Sequence, residues 1–108
     1  MTRSSTTSPA YNLLPEKLLA SIPPIGATSE QSDPMLYVKW FTPDSCWTWY
    51  VAEYSPEHRI AFGYVIGFEA EWGSFSLDEI RKARGGLGLP VERDLHFTPC
   101  RYSELRKG

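Results

Sequence analysis

Three consecutive segments in which apolar and polar residues alternate constrain the fold of this chain more than any other feature. They span residues 35–42, 46–54 and 59–69, and only three and four residues separate them. Alternation with a period of two residues is typical of strands that bury one face, and connections this short join antiparallel neighbours. The sequence therefore predicts an antiparallel β-meander.

Shorter segments on either side of the meander predict the remaining elements. Residues 14–22 predict a short helix that two prolines end, and residues 72–75 predict a fourth strand. Residues 76–79 form a capping box at the start of a second helix, in which the hydroxyl of Ser76 accepts from the amide of Glu79. Residues 89–97 predict an edge strand or an extended arm. The predicted class is α+β, a small antiparallel meander sheet of about four to five strands with two or three short helices.

Length and composition indicate one domain. A chain of 108 residues, 42% of them hydrophobic, is long enough for one ordinary core and too short for two. Residues 1–11 are polar and are expected to form a disordered tail, which leaves residues 12–108 as a single α+β domain. The first ten residues lack the apolar stretch of a secretion signal, and no apolar run is long enough to span a bilayer. We therefore expect a cytoplasmic protein without membrane contact.

The two cysteines and two histidines form no pattern that predicts catalysis. Cys46 and Cys100 lack the spacing of zinc ligands and are expected to be free thiols in a reducing compartment. A nucleophile needs a base within hydrogen-bond reach, and the spacing of His96 and Cys100 across a proline does not place both on one side of a regular element. His58 lies in a predicted turn. We predict no catalytic residue.

Metal ions and phosphate-bearing cofactors are not predicted either. Glu69, Glu71 and His96 are the best set of metal ligands in the sequence, but scattered glutamates usually form a solvated edge. The glycine-rich stretch 85–88 follows a predicted helix instead of preceding one, so it suits a helix cap better than a phosphate-binding loop. The prediction is no metal and no cofactor.

Charge is distributed unevenly along the chain. Residues 35–80 carry two bases and seven acids, a net charge of −5, whereas residues 81–108 carry seven bases and three acids, a net charge of +4. The basic segment is expected to fold back over the acidic sheet. The alternative is a basic patch for nucleic acid, but Arg81, Lys82 and Arg84 are fewer charges than a phosphate-binding stripe usually has.

The alternation divides the sheet into a core face and a second face. Trp40, Trp49 and Phe62 are expected to be largely buried on the core face. The full set predicted for that face is Leu36, Val38, Trp40, Trp47, Trp49, Val51, Ile60, Phe62, Tyr64, Ile66 and Phe68.

The second face mixes tyrosines, a lysine and a glutamate with Gly63 and Gly67. Glycine inside a strand usually marks a bulge or the close approach of another backbone or a ligand. One interpretation is that a helix covers this face; the other is that it is a shallow binding surface for a partner. If it is covered, the tyrosines belong to the core, and the loop at residues 42–46 with the acidic edge at residues 69–71 becomes the better candidate.

Arg93, in the last predicted strand, has two interpretations. The favoured one is an ion pair with Glu53, Glu69 or Glu71 on the acidic sheet, and the alternative is a contact with a carboxylate or phosphate of a partner. The predicted partner-binding residues are Tyr37, Lys39, Tyr50, Tyr54, Glu69, Glu71 and Arg93.

Four motifs in order resemble a known family. They are FTPDSCWTWY at residues 41–50, FGYVIGFE at 62–69, GSFSLDE at 73–79 and GLPVERD at 88–94. The chain resembles, over roughly residues 13–105, an uncharacterised domain-of-unknown-function family of short bacterial proteins that conjugative plasmids and integrative elements often encode. The resemblance implies a mobile-element accessory protein of the bacterial cytoplasm and brings no catalytic residue with it. Cys46 stands where other polar residues are expected in relatives, which argues against a nucleophile there.

Two function classes follow. The leading hypothesis is a non-enzymatic accessory protein of a mobile genetic element that acts by protein–protein interaction on a host or element-encoded protein, in counter-defence or in regulation of transfer. The alternative is a single-stranded nucleic-acid-binding protein in which Tyr37, Phe41, Tyr50 and Tyr54 stack bases beside Lys39. The acidic middle segment counts against the alternative because it repels phosphates.

Overall fold

A five-stranded antiparallel sheet organises the computed structural model, which describes residues 9–105. The strands are β1 (Met35–Leu36), β2 (Val38–Phe41), β3 (Thr48–Ser55), β4 (Ile60–Ile66), β5 (Ala70–Ser76), β6 (Glu92–Arg93) and β7 (Cys100–Arg101), and the helices are α1 (Glu16–Leu19), α2 (Leu77–Lys82) and α3 (Tyr102–Leu105). The main sheet has the order β5-β4-β3-β2-β6, and β1 pairs with β7 in a separate two-stranded sheet. The predicted α+β class with a small meander sheet is confirmed.

Several boundaries differ from the predicted ones. The first helix is a single turn, α1, and residues 20–30 after it form a series of turns. Within this segment the carbonyl of Pro23 accepts from the amide of Tyr54 at 3.0 Å. Helix α2 begins after Ser76, whose hydroxyl accepts from the amide of Glu79 as the capping box predicts. Pro9–Tyr11, expected in the disordered tail, form a 3-10 turn that packs beside β6. The rest of that tail, residues 1–8, lies outside the described residues.

The main core lies on one face of the sheet, beneath the segment that contains α1 and beneath α2. Trp40 is fully buried there, its indole Nε1 donates to the carbonyl of Leu13 at 2.7 Å, and its ring meets Phe75 edge-on. The buried members of this cluster are Leu13, Ile22, Val38, Trp40, Trp49, Val51, Tyr54, Ala61, Leu77, Ile80 and Val91. The expected burial of Trp40 and Trp49 is confirmed.

The phase of β4 is opposite to the predicted one. Trp49 pairs with Val65 and Val51 pairs with Gly63. Paired residues of antiparallel strands project from the same face, so Gly63 and Val65 join the core face and Phe62 projects from the second face, half-buried. The prediction that Phe62 shares a face with Trp49 is therefore wrong. Apolar residues occupy both phases of β4, so alternation alone did not distinguish them. The phase that faces the core is the one with the smaller residues, Ala61, Gly63 and Val65.

A β-bulge in β3 changes the face of the residues that follow it. Val51 pairs with Gly63 and Glu53 with Phe62, so Ala52 is the extra residue. The bulge directs Tyr54 into the main core and Glu53 to the second face. The prediction that Tyr50 and Tyr54 share a face is wrong for this reason.

The second face is covered over its middle. Leu36, Tyr50 and Ala52 are buried there, and the partly buried rings and side chains that pack against them are Tyr64, Trp72, Phe97, Tyr102 and Leu105. The small sheet of β1 and β7 and the helix α3 supply part of this cover. Leu36 was predicted on the core face with Val38, but the break between β1 and β2 at Tyr37 separates the two strands, and Leu36 belongs to this second cluster.

Substitutions at two glycines that pair across β4 and β5 provide a test of the register between β3 and β4. A Cβ at Gly63 would lie 1.7 Å from the carbonyl oxygen of Tyr50, whereas a Cβ at its partner Gly73 would meet nothing within 4 Å. We expect Gly63→Ala to destabilise the fold by about 1–3 kcal/mol or more, because the backbone must shift, and each kcal/mol lowers Tm by about 4–8 °C in a domain of this size. Gly73→Ala is the matched control. Equal melting curves for the two variants would show that the register of β3 and β4 is wrong.

Burial of Tyr54 predicts an alkaline limit to stability. Burial raises the pKa of the Tyr54 phenol above its usual value, with a smaller contribution in the same direction from Asp78, against the lowering effect of Arg59 and Arg81. A raised pKa means that the contribution of the neutral phenol is fully present below about pH 10 and is lost as the pH rises through the folded-state pKa. Urea unfolding between pH 8 and pH 11 should therefore show a steeper loss of stability for the wild type than for Tyr54→Phe. Identical pH dependence in the two proteins would contradict the assignment.

Candidate interaction surface

The residues predicted to bind a partner do not form one exposed patch. Tyr50 is 8% exposed in the second-face cluster and Tyr54 is 4% exposed in the main core, so of the two interpretations left open, the one in which these tyrosines belong to the core agrees with the structure. The remaining five fall into two places. Tyr37, Lys39 and Arg93 line a groove beside β6, and Glu69 and Glu71 lie exposed where β4 turns into β5.

The cationic side chains at the groove beside β6 interact with other residues of the same chain. The ammonium of Lys39 lies 3.4 Å from a carboxylate oxygen of Asp94 and 5.9 Å from the ring centre of Tyr50. The guanidinium of Arg93 donates to the carbonyl of Asn12 at 2.7 Å and to that of Pro9 at 3.3 Å. Arg93 thus anchors the N-terminal segment to β6. The prediction that it pairs with a glutamate of the sheet is wrong, since no such ion pair occurs among residues 9–105.

An exposed aromatic surface lies at the opposite end of the strands from the turn at residues 56–59. We call it the Trp47 end; it comprises the loop at residues 42–47, the turn at 67–69 and the loop at 83–89. The side chains of Phe68 and Leu87 are 94% and 82% exposed. The Phe68 ring meets Trp47 edge-on at 5.5 Å, and Trp47 stacks on Trp49 at 5.9 Å. A row of three rings therefore runs from the core to the surface.

The turn that carries Phe68 depends on a glycine. A Cβ at Gly67 would lie 2.3 Å from Cζ3 of Trp47, so only glycine lets the backbone rest on the indole. The amide of Gly67 donates to the carbonyl of Glu69 at 3.0 Å, and Ile66 pairs with Ala70, which closes the turn. The turn thus presents Phe68 to solvent beside the indole of Trp47.

A carboxylate joins the two loops of the Trp47 end. Oδ2 of Asp44 accepts from the amide of Leu87 at 2.7 Å and from that of Leu89 at 3.2 Å. A Cβ at Gly85 would lie 1.5 Å from Oδ1 of Asp44, so a larger residue there would displace the Asp44 carboxylate. Between the loops lies a groove of about 490 Å³, lined by Thr42, Ser45, Trp47, Trp49, Ala83, Arg84, Gly85 and Gly86.

Sequence reasoning missed the central residue of this surface. Phe68 was predicted on the core face because the third alternating segment was extended to residue 69, whereas β4 ends at Ile66. Gly67, a typical turn residue, was the signal that a tight turn begins there. The fallback prediction, the loop at residues 42–46 with the acidic edge at 69–71, falls on the Trp47 end.

The metal ligands considered from the sequence do not come together in the part of the chain that the structure describes. Within residues 9–105 no three side chains of the metal-binding types form a group that could hold an ion, and Glu69, Glu71 and His96 are all exposed. His58 is also exposed, with Nε2 3.8 Å from a carboxylate oxygen of Glu57. None of the helices in the described range has the length and apolar character needed to cross a bilayer.

A comparison with protein-family models matches residues 13–104 to the family described as protein of unknown function (DUF2958). The chain belongs to this family. The DUF2958 match includes every strand of the main sheet and all three segments of the Trp47 end, so the surface is part of the family domain. A search of curated proteins and a search of solved structures each found no match.

The two thiols of this DUF2958 chain should differ in reactivity. Both cysteines are free; Cys46 lies exposed in the Trp47 end, whereas Cys100 is partly buried in β7. Burial raises the pKa of the Cys100 thiol, and Glu104 adds to the shift. Since the thiolate is the reactive form, we expect iodoacetamide at pH 8 to alkylate Cys46 several-fold faster than Cys100.

Single variants isolate each thiol. The rate in Cys100→Ser reports Cys46 and the rate in Cys46→Ser reports Cys100, and in urea the two rates should converge. Faster modification of Cys100 in the folded protein would contradict the placement of β7.

Proposed function

We propose that this chain is a non-enzymatic accessory protein of a mobile genetic element in the bacterial cytoplasm, and that it acts by binding a host or element-encoded protein through the Trp47 end. Counter-defence and regulation of transfer are the two tasks that such a contact would serve. The observation that carries the proposal is the 94% exposed ring of Phe68 on a base of stacked indoles.

The physical argument rests on the cost of leaving Phe68 in water. Burying a phenylalanine side chain stabilises an association by about 1.5–3 kcal/mol, from which the cost of ordering the exposed ring is subtracted. The exposed Leu87 extends the apolar area, and the groove lined by Trp47 and Trp49 offers a pocket beside it. Buried aromatic anchors beside pockets are where the binding energy of protein interfaces concentrates.

The charges around Phe68 indicate the chemistry of the partner. Glu69 follows it directly and Glu71 lies at the start of β5, both exposed. Carboxylates at the rim of an apolar contact favour a partner with lysine or arginine around an apolar recess, mainly through faster association. We therefore expect an apolar pocket with a basic rim on the partner.

The origin of the chain on a mobile element rests on the resemblance of its four motifs to short proteins of conjugative plasmids and integrative elements. Membership of the DUF2958 family indicates a shared domain, and the description of that family names no activity. The alternative, binding of single-stranded nucleic acid, relied on base stacking by exposed sheet tyrosines. Burial of Tyr50 and Tyr54 removes two of those platforms, and Lys39 is engaged with Asp94.

Quantitative affinity capture tests the proposal. The tagged full chain is expressed in cells that carry the parent element, and co-purified proteins are compared between the wild type, Phe68→Ser and Leu87→Ser. We expect one partner to fall about tenfold or more in both variants, because the loss of an anchor of about 1.5–3 kcal/mol reduces affinity by that order. Melting temperatures should hardly change, since both side chains are exposed.

Leu95→Ser is the matched control, because Leu95 is another exposed leucine and lies at the groove beside β6. It should capture the same partner as the wild type. Equal capture by Phe68→Ser and the wild type would refute the Trp47 end as the interface. A salt-dependent mobility shift of labelled oligonucleotides that survives Phe68→Ser would favour the nucleic-acid alternative instead.

A further inference from the structure

A second pocket lies on the second face of the sheet, toward the opposite end of the strands from the Trp47 end. It has a volume of about 420 Å³, within the range of small-molecule sites, and lies between the sheet and the segment at residues 25–34. Ile25 and Pro34 contribute apolar surface from that segment, and the sheet contributes Glu53, Phe62 and Trp72. None of these was predicted as a binding residue.

Glu53 gives the pocket its charge. It is 2% exposed, and its carboxylate accepts from the amide of Gly26 at 2.7 Å, from the amide of Thr28 at 2.7 Å and from the Thr28 hydroxyl. Glu53 is the sole ionisable side chain among the residues that line the pocket, and within residues 9–105 no basic side chain forms an ion pair with it. Glu53 therefore supplies the only charged side chain among the residues that line the pocket.

Phe62 and Trp72 form an aromatic wall in the same pocket. Their rings lie nearly parallel, with an interplanar angle of 19° and 6.0 Å between centroids. Tyr64 and Tyr102 support the indole of Trp72 at 5.4 Å and 5.1 Å. The faces of aromatic rings carry partial negative charge and attract cations. The wall and the carboxylate thus favour the same kind of ligand.

We propose that this pocket binds a quaternary ammonium group. Three of about four acceptor positions of the Glu53 carboxylate are already filled by its own chain, so it acts on a ligand mainly through its charge rather than through new hydrogen bonds. A methylated ammonium has no N–H to satisfy, and its methyl groups pack against aromatic and aliphatic side chains. The group can belong to a free small molecule or to a trimethylated lysine of a peptide.

The test measures binding to the full chain by NMR, following the indole N–H signal of Trp72. The probes are choline, its neutral isostere 3,3-dimethylbutanol, and a peptide that contains trimethyllysine beside its unmethylated form. We expect choline to bind at least about tenfold more tightly than the isostere, and added salt to weaken its binding. Tighter binding of the methylated peptide than of choline would support the proposal and assign the source to a protein; the reverse order would support it and assign a free metabolite.

Variants locate the site. Phe62→Leu keeps an apolar side chain but removes a ring face, and should weaken choline binding several-fold, while Phe68→Ser at the Trp47 end should not change it. Glu53→Gln should reduce the preference for choline over the isostere. If this variant fails to fold, the affinity of Phe62→Leu for choline and the affinity of the wild type for the isostere still test the proposal. Equal affinity for choline and the isostere, or no saturable shift of Trp72 with any cationic probe, would overturn the proposal. Neither result depends on the Trp47 end.

Discussion

The bulge at Ala52 is the constraint on which most of this structure depends. One extra residue in β3 sends Tyr54 into the main core and turns Glu53 toward the second face. Buried in an apolar sheet, a carboxylate requires donors, and the segment after α1 supplies them from Gly26 and Thr28. The same segment is held at Tyr54, whose amide donates to Pro23. The bulge therefore decides both the packing of the core and the cover of the second face.

Aromatic rings form two separate groups, one at the Trp47 end and one on the second face of the sheet. At the Trp47 end the rings form a row that leaves the core and finishes in solvent at Phe68. On the second face Phe62, Tyr64 and Trp72 pack against one another, and Tyr102 of α3 packs against Tyr64 and Trp72. The first group leaves apolar surface exposed to water, which is unfavourable unless a partner buries it. The second group contributes Phe62 and Trp72 to the wall of a pocket. The two proposed sites are thus separate in space and in chemistry.

Much of the fold could be predicted from local patterns. Alternation located β2, β3 and β4, the short turns made them antiparallel, and the capping box placed the start of α2 at Ser76. The site was harder to predict. The loop at residues 42–46 and the edge at 69–71 were recognised only as a fallback, and Phe68 was assigned to the core because β4 was drawn three residues too long.

The sequence by itself determined the class of fold, the antiparallel meander of β2, β3 and β4 and the presence of enough large rings for a core, because these follow from residue periodicity and composition. Only the tertiary structure decided which face each residue of β4 occupies and where β3 changes phase. In β4 both phases are apolar, so the choice depends on contacts with the neighbouring strand, such as the carbonyl of Tyr50 that leaves no room for a Cβ at Gly63. Such a choice depends on packing between distant segments, which no local pattern records.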